Sequence, residues 1–156
     1  MRDVNVPRAE LDRLTHAPVR FDALVGEDSR MLVFVKTVAL DDPGVAEQRT
    51  TARWPHHLPG EQTIALTGQA GIVAMRRAGH IGDGWRGHGV RITDARFSAP
   101  VLVGETFWTR VEIARVRRIG TSVHARFRFR MWKLDAAGRE VETYRSEQHA
   151  IFFPPE

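Results

Sequence analysis

Residues 61–79 read EQTIALTGQAGIVAMRRAG, and no other long stretch of the chain keeps an uninterrupted helical pattern. Apolar and small residues would cover most of the circumference of this helix, whereas a helix on a protein surface shows a polar face. Glu61 suits the positive N-terminal end of the helix dipole, Arg76 and Arg77 suit the negative C-terminal end, and Gly79 can end the helix. The stretch predicts a helix of about five turns that is buried on most sides.

Two glycines, Gly68 and Gly71, stand inside this predicted helix. Each costs about 1 kcal/mol of helix stability relative to alanine. Their presence indicates that another backbone or a ligand comes close to the helix at these positions.

Beyond the helix the apolar residues recur at every second position, as in a strand with one buried face. The alternation is clearest in residues 122–134, where one side would carry Val123, Ala125, Phe127, Phe129 and Met131, and the other His124, Arg126, Arg128, Arg130 and Trp132. The pattern and its turn signals predict strands at 90–97, 107–118, 122–134 and 140–153, a loop at 80–89, a bend at 100–105 and hairpin turns at 119–121 and 135–138.

The part of the chain before the helix is predicted to hold a hairpin and a short helix. Residues 31–40 are rich in branched and aromatic residues, residues 41–44 (DDPG) are a strong turn signal, and residues 45–54 alternate loosely as a returning strand would. Residues 7–14 are a candidate helix that begins with proline. The predicted fold class is α+β, with a long central helix wrapped by an antiparallel β-sheet.

Composition limits what the protein can be. At 156 residues without an internal repeat or linker, the chain is expected to be one domain, with residues 1–30 as an N-terminal extension and residues 31–153 as the core. The chain has no cysteine, which excludes disulfides, thiolate metal sites and a cysteine nucleophile. No run approaches the roughly eighteen apolar residues that span a bilayer, and the first residues are too polar for a signal peptide, so we expect a cytoplasmic protein without a membrane partner.

The net charge of +4 points toward an acidic partner. We do not expect nucleic acid, because no helix-turn-helix, zinc or RNA-binding signature is present. An acidic acyl carrier protein or the phosphates of coenzyme A would satisfy the same charge, and Arg126, Arg128 and Arg130 share the strand face that can bind them. The alternative is that arginines on an exposed strand face keep the sheet soluble and protect its edges.

We expect neither a cofactor nor a metal. The glycines of residues 82–89 follow no strand and begin no helix, as a dinucleotide fingerprint requires. His56, His57 and His80 can in principle ligate zinc, but adjacent histidines seldom converge on one ion and no further ligands are evident.

Two stretches resemble β-hydroxyacyl-carrier-protein dehydratases of the hotdog superfamily. Residues 90–107 read VRITDARFSAPVLVGETF and look like a strand and bend of that family, in which an Arg-Phe pair precedes a Pro-Val pair and a Pro-Gly-Asp bend. Residues 58–70 are similar to its Met-Pro-Gly segment and its Glu-Ala-x-x-Gln helix. With the predicted hairpin, the resemblance covers residues 31–153 and implies a hotdog fold. The family positions are occupied here by Arg96-Phe97, Pro100-Val101 and Gly104-Glu105.

The resemblance also implies a site and shows where this chain departs from it. In the family, a helix glutamate and a loop histidine from opposite subunits of a dimer remove the α-proton and the hydroxyl of an acyl thioester. Counting from Gly60, the glutamate position falls at Ala65 and the glutamine position at Gln69, so that the carboxylate is absent and the amide is present. The family's loop is also longer, and one segment, 57–60 (HLPG), stands here for two of its elements.

A substitute acid/base pair can be formed from nearby residues. Glu61 lies one turn before Ala65 on the same helix face and can present a carboxylate to His56 or His57. The alternative is that Glu61 only stabilises the helix N-terminus and that both histidines are exposed loop residues.

The substrate-binding candidates lie on the same helix. Gln69 needs hydrogen-bond partners if it is buried in a mostly apolar helix. Thr63 and Thr67 can offer hydroxyls to a substrate, although a threonine bonding back to its own helix is the alternative. The backbone amides after Gly60 can bind a thioester oxygen without any side-chain catalyst.

Three functions follow for a homodimer that holds an acyl thioester, on acyl carrier protein or coenzyme A, between its central helices. The leading one is a dehydratase-like enzyme with His57 as base, Glu61 as displaced acid and Gln69 as a positioning group. The second is a thioesterase, which needs only an oxyanion site and an activated water. The third is a non-catalytic subunit, paired with a paralogue, or an acyl-binding module.

Overall fold

The computed structural model describes residues 1–4 and 19–156, and of Asp3 only the backbone. The predicted helix at 7–14 therefore lies outside the described residues. All strand pairings in the described part are antiparallel, and the sheet has the order β1-β2-β3-β5-β6-β7-β4. The elements are β1 (Arg2–Asp3), β2 (Ala23–Glu27), β3 (Met31–Thr37), α1 (Gly60–Arg77), β4 (Arg86–Phe97), β5 (Thr106–Ile119), β6 (Ser122–Leu134) and β7 (Glu140–Phe153).

The core lies between α1 and one face of the sheet. The predicted inward positions of β6 are all buried, at 1–3% exposure, which confirms the alternation read from the sequence. The sheet is open, and α1 lies against one face of it instead of being wrapped, because β1 and β4 form the two ends of the strand order. Within the described residues no helix is long and apolar enough to cross a bilayer.

The two helix glycines have different surroundings. A Cβ atom at Gly71 would stand 3.3 Å from the ring of Phe127 on β6, so the missing side chain lets α1 approach the sheet closely. Gly68 is exposed, and no atom of the described residues lies within 4 Å of a Cβ built there. The close neighbour at Gly71 is therefore a side chain of the sheet, and not the backbone or ligand that was predicted.

The predicted hairpin before the helix is wrong. Residues 45–54 form turns and bends, and the hairpin partner of β3 is β2, which lies inside the segment assigned to the N-terminal extension. The physical reason is a turn that forms directly after β3: Asp42 accepts hydrogen bonds from Lys36 Nζ at 3.0 Å and from the amide of Ala39 at 2.8 Å. The chain is thereby folded back before a second strand can begin.

The strand after the helix begins earlier than predicted, at Arg86, within the glycine-rich segment. Gly87 permits this, because a Cβ atom there would stand 2.8 Å from the ring of Phe152 on β7. Among the described strands β4 pairs only with β7, and almost all of its residues are exposed, including Val90 and Ile92. It is the long edge strand of the sheet.

Candidate functional site

A cavity of about 430 Å³ lies at the N-terminal end of α1. It is bounded by the loop before the helix, the first turn of α1, the segment after β4 and the inner faces of β6 and β7. Its walls are mainly apolar, with Leu58, Val101, Phe107 and Met131 among them. Its polar side chains are those of His57, Thr63, Ser98, Thr143 and Tyr144.

His57 is placed by a short two-stranded contact. His57 and Leu102 form an isolated antiparallel bridge, which holds the loop before α1 against the bend at 100–105. The Nδ1 atom of His57 lies 2.9 Å from the carbonyl oxygen of Pro55. A carbonyl can only accept, so Nδ1 carries a proton, and in the neutral imidazole Nε2 is the proton acceptor.

The first turn of α1 leaves backbone donors free. Pro59 precedes the helix and provides no side-chain cap, and its carbonyl accepts the amides of Gln62 and Thr63. Within residues 1–4 and 19–156, the amides of Gly60 and Glu61 donate to no protein acceptor. Such amides at the positive end of a helix dipole are a site for an anion or a polarised carbonyl oxygen.

A β-bulge in β7 brings two hydroxyls to this cavity. The register between β6 and β7 shifts at Met131 and Trp132, and Thr143 and Tyr144 of the bulged strand both line the cavity. Thr143 is 3% exposed, and its Oγ1 has no hydrogen-bond partner among the described residues. A buried hydroxyl without a partner at a cavity wall is available to a bound molecule.

Tyr144 belongs to a chain of polar side chains along the inner face of β7. Its hydroxyl donates to Ser146 Oγ at 2.7 Å, and Gln148 Nε2 donates to Thr67 Oγ1 at 2.7 Å on α1. Burial raises the pKa of the Tyr144 phenol, and the hydrogen bond to Ser146 opposes that rise. The phenol is therefore protonated at neutral pH.

Sequence reasoning missed Thr143, Tyr144, Ser146 and Gln148. A signal was present, because the inward positions of β7 read Tyr-Ser-Gln where a strand face packed on a helix should be apolar. The bulge that adds Thr143 to the same wall left no such signal in the sequence.

Three of the predicted site residues, His57, Gly60 and Thr63, line the cavity together. Glu61 is exposed, does not line the cavity, and has its carboxylate on the side of Gly44. Successive residues of an α-helix point in directions about 100° apart. Glu61 therefore points away from the cavity wall that Gly60 forms, and away from His57. No carboxylate of the described residues lines the cavity.

The remaining predicted residues have protein partners or lie elsewhere. His56 is held through Nδ1 by the carbonyl oxygen of Val45 at 2.8 Å. Thr67 donates back to Ile64 O at 2.6 Å, as the alternative interpretation of the helix threonines states, and Thr63 Oγ1 lies 3.3 Å from Pro59 O. Ala65 is partly buried against the core and does not line the cavity.

Gln69 is 3% exposed, and its Oε1 accepts a hydrogen bond from the amide of Phe21 at 2.9 Å. This bond attaches the segment before β2 to the centre of α1, which is a structural role for the predicted positioning residue.

We predict that Gln69→Leu lowers the free energy of unfolding by about 1–3 kcal/mol, because the buried amide of Phe21 loses its acceptor. The matched control is Gln62→Leu on the same helix. Gln62 Oε1 is buried without a partner among the described residues, so its removal should change the free energy of unfolding little. Urea unfolding of both variants measures the difference. Equal losses would contradict the assigned role of the Gln69–Phe21 bond.

The arginine face of β6 is unevenly paired. Arg128 lies 3.2 Å from Glu112 and 3.4 Å from Glu147, and Arg130 lies 3.3 Å from Glu140. Arg126 forms no ion pair with any described residue. In the described part of the chain, no three His, Asp or Glu side chains converge as a metal site would require.

No protein-family model matches the sequence, and no curated protein matches it significantly. Similarity is found among solved structures. The dehydratase heterocomplex ApeI:P from Xenorhabdus doucetiae is 18% identical with a TM-score of 0.60, over 94% of this chain and 91% of that chain. Thioesterase HI1161 from Haemophilus influenzae is 13% identical with a TM-score of 0.55, over 85% of this chain and 78% of that chain.

A hot-dog-like protein from Thermanaerovibrio acidaminovorans is 17% identical with a TM-score of 0.54, over 80% of this chain and 81% of that chain. The TM-scores show that these three structures share the fold of the present one, in which a long helix packs on an antiparallel sheet. The chain therefore has the hotdog fold that its sequence predicted.

Proposed function

We propose that this protein acts on an acyl thioester that binds in the cavity at the start of α1. The observation that supports this function is that His57, the free amide of Gly60 and an apolar space belong to one cavity. The acyl chain lies against Leu58, Phe107 and Met131, and the thioester carbonyl oxygen accepts a hydrogen bond from the free amide of Gly60. The similar thioesterase and dehydratase structures carry names consistent with this substrate class.

Hydrolysis is the reaction that this geometry favours. His57 Nε2 takes a proton from water, the resulting hydroxide adds to the carbonyl carbon, and the free amide of Gly60 stabilises the oxyanion. Collapse of the tetrahedral intermediate breaks the C–S bond, and the imidazolium returns its proton to the departing thiolate. One acid/base group is sufficient, which fits a cavity without a carboxylate.

Dehydration of a 3-hydroxyacyl thioester is the second candidate, favoured by the two hydroxyls on the bulged strand. His57 would remove the α-proton, and the protonated Tyr144 phenol or the free Thr143 hydroxyl would assist departure of the β-hydroxyl as water. The phenol must then release its bond to Ser146.

Intact mass spectrometry distinguishes these reactions. Saturated acyl, 3-hydroxyacyl and enoyl thioesters, each on acyl carrier protein and on coenzyme A, are incubated with the pure protein. Release of free thiol from any of them indicates hydrolysis, whereas gain or loss of the mass of one water in the acyl chain indicates hydration or dehydration. If all substrates return unchanged, the catalytic proposal is wrong and a non-catalytic subunit or acyl-binding module is the function to test.

We also propose that the protein is a homodimer whose two copies pair through β4. An edge strand of 12 residues with exposed backbone groups and exposed Val90 and Ile92 is a template for a second strand. Ile92 stands opposite Gln148, whose side chain reaches α1, so Ile92 lies on the helix side of the sheet. Antiparallel pairing of two β4 strands would give one continuous sheet and bring the exposed side of each α1 toward its partner.

For this dimer we predict that Ile92→Lys weakens self-association by at least about tenfold, because a charge replaces apolar contact area in the interface. Leu134→Lys is the matched control. Leu134 is 47% exposed and Ile92 is 42% exposed, but Leu134 lies at the end of β6, outside the proposed β4 interface. Sedimentation equilibrium measures both variants beside the wild type. A monomeric wild type, or equal weakening by the two substitutions, would overturn the β4 interface.

A further inference from the structure

A row of cationic side chains crosses four strands on the outer face of the sheet. In the strand register, Arg115 of β5 stands opposite Arg126 of β6, Arg126 stands opposite His149 of β7, and His149 stands opposite Arg91 of β4. The next pair along β5 and β6 on the same face is Arg117 and His124. We call these six residues the basic patch.

The basic patch lacks the acidic partners that the neighbouring row has. One step along β6, Arg128 is flanked by Glu112 and Glu147. Among the described residues, the four arginines of the patch form no ion pair. Like charges directly opposite each other destabilise a sheet, so the patch is a place where a bound anion would add stability.

The two histidines of the patch are hydrogen-bonded to each other. His124 Nδ1 lies 3.2 Å from His149 Nε2, so one of these nitrogens is unprotonated in the hydrogen bond that joins them. Burial, and then the charges of His124 and Arg126, lower the pKa of His149. The other groups that face His149 are Arg91 from β4 and, in the adjoining groove, Asp94 and Glu147.

The space between these side chains is small. The groove lined by Arg115, Arg117, His124, Arg126 and His149 has a volume of about 110 Å³. A single tetrahedral oxyanion fits such a space, whereas a whole nucleotide would extend beyond it.

We propose that the basic patch is a binding site for a phosphate group. Arg115, Arg117 and Arg126 donate charge-assisted hydrogen bonds to its oxygens, and His149 takes up a proton when the anion binds. The patch is on the face of the sheet opposite the cavity, and Arg126 is about 17 Å along β6 from the cavity residue Met131. The proposal is therefore independent of thioester turnover, and either can fail alone.

Isothermal titration with inorganic phosphate tests the site. We expect one site per chain with a submillimolar Kd, and Arg126→Gln should weaken binding by about tenfold through the loss of charge-assisted hydrogen bonds. Arg139→Gln is the control, because it removes the same charge from the turn between β6 and β7, where Arg139 pairs with Asp135. Equal affinity of the two variants, or binding only at tens of millimolar, would mean an adventitious ion only and would overturn the proposal.

Two further titrations refine the test. Sulfate keeps its charge between about pH 8 and about pH 6, so an affinity that rises over this interval reports histidine protonation. The rise should disappear in His149→Gln, and a pH-independent affinity of the wild type would contradict the role of His149. Adenosine 3′,5′-bisphosphate distinguishes the source of the group: tighter binding than phosphate indicates a nucleotide phosphate, and weaker binding indicates the free ion.

Discussion

His57→Gln is expected to lower thioester turnover by about 100- to 10,000-fold, the usual contribution of a general base. Nδ1 of His57 is held by Pro55 O, so the lone pair of Nε2 is the group that accepts the proton, and an amide cannot replace it. KM should change little, since His57 is assigned to proton transfer and the acyl chain contacts the apolar wall. Release of free thiol, followed continuously, measures the effect.

Two variants serve as controls for this prediction. His56→Gln changes the same residue type one position earlier, but His56 binds Val45 O and does not line the cavity. Glu61→Gln removes the carboxylate that the sequence suggested as an acid, although it lies outside the cavity. Both should keep turnover within about threefold of the wild type. A large loss in Glu61→Gln together with a small loss in His57→Gln would refute the assigned base.

Phe127→Ala is expected to lower the free energy of unfolding by about 3–5 kcal/mol, as a large buried aromatic does when it is truncated. Phe127 is 2% exposed, its ring fills the space left by Gly71 of α1, and it packs edge to face on Phe152. The substitution leaves a cavity between α1 and the sheet that neither backbone can close, because both are fixed by regular hydrogen bonding.

Phe153→Ala is the matched control for core packing. Phe153 ends β7, is 42% exposed, and its ring meets only the edge of His88 among the described aromatic contacts. Truncation of Phe153 should lower the free energy of unfolding by less than about 1 kcal/mol. Guanidinium unfolding at one protein concentration compares the two, since a dimer makes apparent stability depend on concentration. Equal losses would show that α1 does not depend on Phe127 for its packing.

Local pattern predicted those elements whose side chains alternate or repeat without interruption. The bounds of β6 and β7 agree with the predicted strands at 122–134 and 140–153, because period-two alternation and a tight turn define both ends. The helix was predicted at 61–79 and observed as Gly60–Arg77, with Gly79 at a φ of +79° beyond its end. The hotdog fold was predicted from the order of these elements together with the resemblance of residues 58–70 and 90–107 to a known family.

The hairpin before the helix could not be predicted in the same way. The residues at 45–54 alternate weakly, and what decides their conformation is the contact of Asp42 with Lys36 and Ala39. The hairpin partner of β3 is β2, which lies in residues 1–30, where no strand was predicted, and only the pairing in the sheet identifies it.

For the candidate site, the sequence by itself determined which residue types stand near the start of the helix: His57, Gly60 and Thr63, with alanine at position 65. Tertiary structure decided which of them share a cavity, and it added Thr143 and Tyr144 from a strand more than 80 residues away. The physical reason is that hydrogen-bond register and bulges between distant strands direct side chains to one wall or another, and neither is encoded in local periodicity.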